Sequence, residues 1–115
     1  MSIVRSETRN IQLLSDVKVA NTMWSRGKGL LGVVHLGPEQ GLWITRGNWI
    51  HTFCMKMTID CVFLDKKMRI KKIYSEVPPQ RMTWPVWGAR SVLELPKGRA
   101  AELNLQVGEQ LHVGT

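Results

Sequence analysis

The sequence has few cysteines, few acidic residues and no long apolar run. Its two cysteines are too few for the disulfide framework of a small secreted scaffold, and they lack the paired CxxC spacing of a structural zinc site. Nine Asp and Glu against sixteen Lys and Arg leave a net charge of +7, which favours polyanionic partners. No stretch approaches the roughly 18 apolar residues of a membrane helix, so we expect no membrane span.

The length of 115 residues suits one domain covering residues 1–115, since no repeat, linker or low-complexity tract divides the chain. Residues 1–14 carry charges where a secretory leader would carry its apolar segment, so the chain as written is expected in the cytoplasm. A periplasmic or exported protein would look the same if its leader had been removed. We expect a monomer without a cofactor.

Short segments rich in β-branched and aromatic residues, bounded by turn formers, dominate the chain after residue 41. A helix is expected to begin after Asn21 or Thr22 and to end near Gly32, and residues 100–103 suit a single helical turn. Residues 65–69 read as a hairpin loop. The sequence predicts a mainly β fold, an antiparallel barrel-like or jelly-roll-like sandwich with one or two short helices. Strands are expected at 17–20, 42–44, 49–55, 59–64, 70–74, 92–95 and 110–113.

Three motifs carry a family resemblance: IHTF at 50–53, IDxVFLD at 59–65 and ARSVLELPxG at 89–98. With the glycines and tryptophans before them, they closely resemble the prokaryotic domain of unknown function 192, also called uncharacterised protein family 0127, over about residues 17–113. The resemblance implies a compact β-barrel-like domain and no activity, since the family is uncharacterised. Cys54 and Met68 stand where the family usually has Gly, and Met68 is therefore not expected to adopt a positive φ.

The characteristic polar positions of the family are the candidate ligand-binding residues. Asp60 and Glu94 lie in apolar segments, where a carboxylate needs a cation or several hydrogen-bond donors. One interpretation is an internal ion-pair network with the two arginines of the set. The other is that His51, Asp60 and Glu94 converge at a barrel mouth and bind an anionic ligand together with an arginine. The full set is Arg26, His51, Thr52, Asp60, Arg90 and Glu94.

His51 alternates with Trp49, Phe53 and Met55, so a regular strand would place all four on one face. Such a histidine is either a satisfied core residue or part of a pocket. No HxH or HExxH spacing surrounds it, and no GxSxG motif surrounds Ser91, so neither a metal site nor a serine nucleophile is predicted. Both cysteines are expected to be free thiols.

The basic run and the tryptophans are the features that suggest nucleic acid. Residues 66–72 hold five cations and are expected to form a solvated hairpin whose nucleic-acid binding is weak and salt-sensitive. Trp84 and Trp87 flank Pro85 in a predicted loop. They either cap the open ends of a small barrel or, beside Arg81 and Arg90, stack on bases or sugar rings.

Three functions follow from these features. The first is a binding module whose polar pocket takes a small or anionic ligand. The second is a hydrolase that uses His51, Asp60 or Glu94 as its acid and base groups. The third is a basic nucleic-acid-binding domain that uses the 66–72 hairpin and the loop tryptophans.

Overall fold

Seven strands and one helical turn make up the computed structural model, which describes residues 2–21 and 35–114. No helix in these two ranges is long and apolar enough to cross a membrane. The helix predicted near residues 22–32 lies outside the described residues. The elements are β1 Ser2–Ser6, β2 Ile11–Ala20, β3 Gln40–Ile44, β4 Ile59–Leu64, β5 Ile70–Val77, β6 Ser91–Pro96, α1 Arg99–Glu102 and β7 Leu111–Gly114.

The strands form one sheet in the order β5-β4-β6-β3-β2-β1-β7. All neighbours are antiparallel except β2 and β3, which pair in parallel and are the one departure from the predicted antiparallel arrangement. The two edges of the sheet meet at a single bridge between Arg69 and Gln110, supported by a 2.9 Å bond from Ile70 N–H to the Glu109 carbonyl. The sheet is therefore curled like a barrel, although no continuous ladder closes it. The predicted mainly β fold class is confirmed.

The central strands β4 and β6 are buried on both faces of the sheet. On β4, Cys61 and Phe63 belong to one apolar cluster, whereas Val62 and Leu64 belong to a second cluster on the opposite face. On β6, Val92 belongs to the first cluster, whereas Leu93 and Leu95 belong to the second. This double burial explains why both strands appear in the sequence as nearly continuous apolar runs, and the 59–64 strand was predicted with its observed boundaries.

Two segments differ from the predicted strands. β1 and the first half of β2 were not predicted, because their residues are mixed in polarity and depend on pairing with each other and with β7. Residues 49–55 do not form the predicted regular strand, since only His51 makes a bridge, to Met82. Instead, irregularly spaced backbone hydrogen bonds join this segment to residues 81–90.

The 65–69 hairpin turn forms as predicted, and Asp65 organises it. Its Oδ1 accepts backbone N–H bonds from Lys67 at 2.8 Å and Arg69 at 3.0 Å. The expectation that Met68 avoids a positive φ is wrong, because its φ is 62°. The Asp65 bonds fix the turn around it, and the turn geometry overrides the preference of a side-chain-bearing residue. Cys54, the other residue at a usual Gly position, has a φ of 63°.

Both cysteines are free, as predicted. Cys54 is exposed, and Cys61 is fully buried in β4 as a small apolar residue. Burial raises the pKa of the Cys61 thiol well above its ordinary value, and the nearby Glu94 and Asp60 carboxyls raise it further. The thiol at Cys61 is therefore held in its neutral, unreactive form.

Candidate functional site

Thr52 is a buried structural residue that joins two loops. Its hydroxyl donates to the Pro78 carbonyl at 2.6 Å and accepts from the Arg81 N–H at 2.9 Å. Its own backbone N–H donates to the Arg81 carbonyl at 2.7 Å. Every polar group of Thr52 therefore has a protein partner, and its hydroxyl fixes the loop after β5 against the segment before β4.

Asp60 is fully buried and is stabilised by backbone donors. Its Oδ1 accepts from Glu76 N–H at 2.9 Å and Gly98 N–H at 3.2 Å, and its Oδ2 accepts from Ala100 N–H at 2.9 Å. Three backbone N–H groups can stabilise a buried carboxylate as a cation would. Asp60 thus ties β5 and the start of α1 to β4. Among the described residues no cation forms an ion pair with Asp60, and Arg26, one of the two predicted partners, lies outside them.

Glu94 is buried on the opposite face of the sheet, and no described cation forms an ion pair with it. It lies between Leu42 of β3 and Cys61 of β4 in the strand register. Its Oε1 is buried and has no hydrogen-bond partner in the part of the chain that the structure describes. Burial raises the pKa of Glu94 from 4.5 to about 7. Its carboxyl is therefore half or more protonated at neutral pH, which lowers the cost of burying it.

The predicted convergence of polar side chains at one pocket does not occur among the described residues. Asp60 and Glu94 lie on opposite faces of the sheet. The neighbours of Asp60 along β4 face the first apolar cluster, whereas the neighbours of Glu94 along β6 face the second. Arg90 is exposed and forms no ion pair with a described acidic residue, so it does not neutralise Glu94. Arg26 lies outside the described residues. His51 is exposed at the surface.

His51 belongs to a two-stranded ribbon, here called the aromatic ribbon, in which residues 47–53 pair with residues 81–90. Backbone bonds run from Gly47 N–H to the Arg90 carbonyl at 3.0 Å and from Thr83 N–H to the Ile50 carbonyl at 2.9 Å. Ile50 and Thr52 alternate with exposed residues, whereas in the paired segment every third residue from Thr83 to Ala89 is buried. The inner residues Ile50, Thr52, Thr83 and Val86 are buried.

The outer side of the aromatic ribbon carries large exposed side chains. Trp84 is 82% exposed and Trp87 is 94% exposed, so neither one caps an open end of the sheet. Two rings from the other half of the ribbon are stacked, with His51 and Phe53 at 5.3 Å between centroids and 22° between planes. The interpretation of His51 as a core residue is wrong. The exposed apolar residues of this surface are Trp49, Phe53, Met82, Trp84 and Trp87.

A cleft of about 390 Å³ opens on this surface. Its walls are mostly apolar, and the Thr83 side chain contributes to the lining. Monomeric proteins rarely leave large apolar patches in water unless the patch binds something. The sequence did not identify Met82 and left open whether the tryptophans cap the barrel or form an exposed stacking surface. The alternation Trp49-Ile50-His51-Thr52-Phe53 already indicated an outward aromatic face. The cleft is lined by Trp49, Met82, Thr83, Trp84 and Pro85.

The aromatic ribbon and its flanks are positively charged. Residues 46–58 and 78–93 contain four cations and no Asp or Glu. The ion pairs among the described residues engage Arg9, Arg69, Lys97 and Arg99, all outside these two segments. Five acidic residues are thus paired with cations outside these segments, while the ribbon keeps its positive charge. Its cations are Arg46, Lys56, Arg81 and Arg90.

Removing the Asp60 carboxylate should strongly destabilise the fold. Asp60→Ala leaves the N–H groups of Glu76, Gly98 and Ala100 without their acceptor, and an unsatisfied buried group costs about 1–3 kcal/mol. We expect the free energy of unfolding to fall by about 3 kcal/mol or more in urea denaturation. Asp16→Ala is the control, because Asp16 accepts only one side-chain bond at 3.3 Å. Equal losses for the two variants would contradict the role assigned to Asp60.

The buried Glu94 should make stability decrease as pH rises. Its pKa is about 7 in the folded protein and about 4.5 when unfolded, so the unfolded chain loses its proton first. The full contribution is present below pH 4.5 and is lost between pH 4.5 and about 7, a change of about 3 kcal/mol. Glu94→Gln should remove this part of the decline in chemical denaturation at several pH values.

The control for this experiment is Glu7→Gln, because Glu7 is exposed. Its stability should follow the parent's pH dependence throughout. Parallel curves for Glu94→Gln and the parent protein would show that Glu94 does not titrate differently on folding.

Comparisons with known proteins agree with the motifs. The family described as "Uncharacterized ACR", the domain of unknown function 192, matches residues 3–113. A UPF0127 protein of Thermococcus sibiricus is 31% identical over 103 residues, 83% of this chain and 64% of that protein, so the chain spans less than two thirds of that relative. A UPF0127 protein of Pyrococcus horikoshii is 27% identical over 116 residues, covering 95% of this chain and 96% of that one.

A solved structure shares the fold. The crystal structure of a protein of unknown function from Novosphingobium aromaticivorans superposes with a TM-score of 0.84 at 23% identity, covering 96% of this chain and 82% of that chain. At this identity the likeness concerns the fold alone. From the family match over nearly its whole length, the chain belongs to the uncharacterised domain of unknown function 192 family, whose curated members are called UPF0127 proteins.

Proposed function

We propose that this domain is a binding module that takes an anionic ligand on the outer side of the aromatic ribbon. The observation that carries the proposal is the coincidence of two features on one surface: exposed rings around a cleft, and cations without acidic neighbours in the same segments. Exposed apolar area favours binding through lost contact with water, and unpaired cations select a negative partner.

This proposal places the ligand elsewhere than the polar pocket expected from sequence. Of that set, His51 and Arg90 lie on the ribbon and are available to a ligand. Thr52 supports the ribbon from beneath through its bonds to Pro78 and Arg81. Asp60 and Glu94 act within the fold, on separate faces of the sheet, so they support the site only through stability.

The hydrolase hypothesis has less support. A general acid and base must both lie within hydrogen-bond reach of one substrate. Asp60 already accepts three backbone bonds, and Glu94 is on the far face of the sheet from it. In the described residues, no group of three His, Cys, Asp or Glu side chains could hold a metal ion. A binding role therefore fits the arrangement better than a hydrolytic one.

The test is a binding panel of anionic probes, read by intrinsic tryptophan fluorescence. Heparin, phosphatidylglycerol vesicles and a single-stranded oligonucleotide represent three anionic chemistries. We expect at least one probe to bind the parent and to lose affinity between about 50 and 200 mM salt, because cations of the ribbon contact it. Trp84→Ala should weaken that binding, and Arg90→Gln should reduce its salt dependence.

Controls for the panel lie on β2, away from the ribbon. Ile11→Ala removes another exposed apolar side chain, and Lys18→Gln removes another exposed cation. Both should bind like the parent. If no anionic probe binds the parent, or if the β2 variants lose as much as the ribbon variants, the proposed binding surface is wrong.

A further inference from the structure

We infer that the anionic ligand is single-stranded nucleic acid, whose bases stack on the row of rings of the aromatic ribbon while its phosphates contact the cations beside it. The inference rests on the proposed function and names the ligand class for the same surface. Three features of the surface support it: the spacing of the rings, the contact between Lys71 and the ribbon, and the cleft between two tryptophans.

The rings form a row along an extended backbone. Trp49, His51 and Phe53 occupy alternate positions on the outer side, with centroids 6.2 Å apart for the first pair and 5.3 Å apart for the second. Trp84 stands on the paired segment and shares the cleft with Trp49. Single-stranded chains expose the faces of their bases, and stacking on protein rings contributes to binding whatever the base sequence. A duplex hides those faces within its own stack.

The basic strand β5 reaches the ribbon at Lys71. The Lys71 side chain packs beside the Gly88 backbone, so that a Cβ added at Gly88 would lie 3.4 Å from Lys71 Cε and 3.7 Å from its Nζ. Gly88 directly follows the exposed Trp87. Lys71 therefore links the ribbon to the basic run of residues 66–72, and no cation of that run but Arg69 is ion-paired to a described acid. A polymer lying on the rings could thus pass directly onto this basic track.

The arrangement favours nucleic acid over an anionic membrane. Membrane-surface binding needs apolar tips that enter the acyl region together with basic residues. It does not need a histidine stacked on a phenylalanine, or a cleft between two tryptophans with a threonine in its wall. A planar ring matches a cleft between two tryptophans better than a flexible acyl chain does. Nucleobases attached to a phosphate chain combine that planarity with the charge that the cations select.

The experiment measures fluorescence anisotropy of labelled probes of about 20 nucleotides, long enough to cover one small domain. The probes are single-stranded DNA, single-stranded RNA of the same sequence and the corresponding DNA duplex. The full chain should bind at least one of the single strands more tightly than the duplex. Trp84→Ala with Trp87→Ala should weaken single-strand binding by about fivefold or more, as loss of stacking does. Both side chains are exposed, so this variant should retain the parent's unfolding transition.

The cation arm uses Lys71→Gln with Arg81→Gln. This variant should flatten the slope of log affinity against log salt concentration, because a protein that makes fewer phosphate contacts releases fewer counterions when it binds. The β2 variant Lys18→Gln should keep the parent slope. The inference is overturned if the duplex binds as tightly as both single strands, or if the tryptophan variant binds single strands like the parent.

The panel of the preceding subsection separates the two proposals. Binding of heparin or phosphatidylglycerol vesicles through the ribbon, with no binding of single strands, would overturn the nucleic-acid inference and leave the anion-binding surface standing. No binding of any anionic probe would overturn both. Single-strand binding that survives at physiological salt in the parent and fails in the tryptophan variant is the result we expect.

Discussion

The burial of β4 and β6 on both faces is the constraint on which the rest of the structure depends. A strand with no exposed face must supply a partner or a neutral form for each polar side chain it carries. Asp60 meets this requirement with three backbone N–H donors, and in doing so it connects β5 and α1 to the centre of the sheet. Glu94 meets it differently, through a pKa raised to about 7.

The same constraint shapes the surface. The aromatic ribbon lies against one apolar cluster of the sheet, and its inner residues Ile50, Val86 and Ala89 belong to that cluster. Because alternate residues of an extended chain point to opposite sides, burying Ile50 turns its neighbours Trp49 and His51 outward. The exposed rings of Trp49, Phe53 and Trp84 are thus held on a backbone that is anchored in the core. A surface anchored in this way is organised before a ligand arrives, which reduces the entropy lost on binding.

The sequence predicted the strands that are buried on both faces, because such strands appear as continuous apolar runs. β4 was predicted with its observed ends, and β6 was predicted within one residue at each end. It missed β1, whose five mixed residues depend on pairing with distant strands. For the site, composition identified the tryptophans but not their exposure. A ring on a loop has the same sequence signature whether it plugs a core or faces water.

The polar candidates show the same limit. The burial of Asp60 and Glu94 was predicted correctly from the apolar residues around them. The sequence left open whether Asp60 takes a cation or several hydrogen-bond donors, because backbone donors carry no sequence signature. The positive φ of Met68 was missed for a related reason, since the Asp65 bonds that close the turn are visible only in three dimensions.

The central claim is that the aromatic ribbon, and not the buried part of the domain, contacts a single-stranded nucleic acid. Indole N–H signals in a ¹⁵N-correlated NMR spectrum test it in one titration, because Trp43 has a buried Nε1 whereas Trp84 and Trp87 are exposed. On adding a single-stranded oligonucleotide, the Trp84 and Trp87 signals should shift together and saturate while the Trp43 signal stays in place. A shift confined to Trp43, or binding that leaves the Trp84 and Trp87 signals unmoved, would contradict the account.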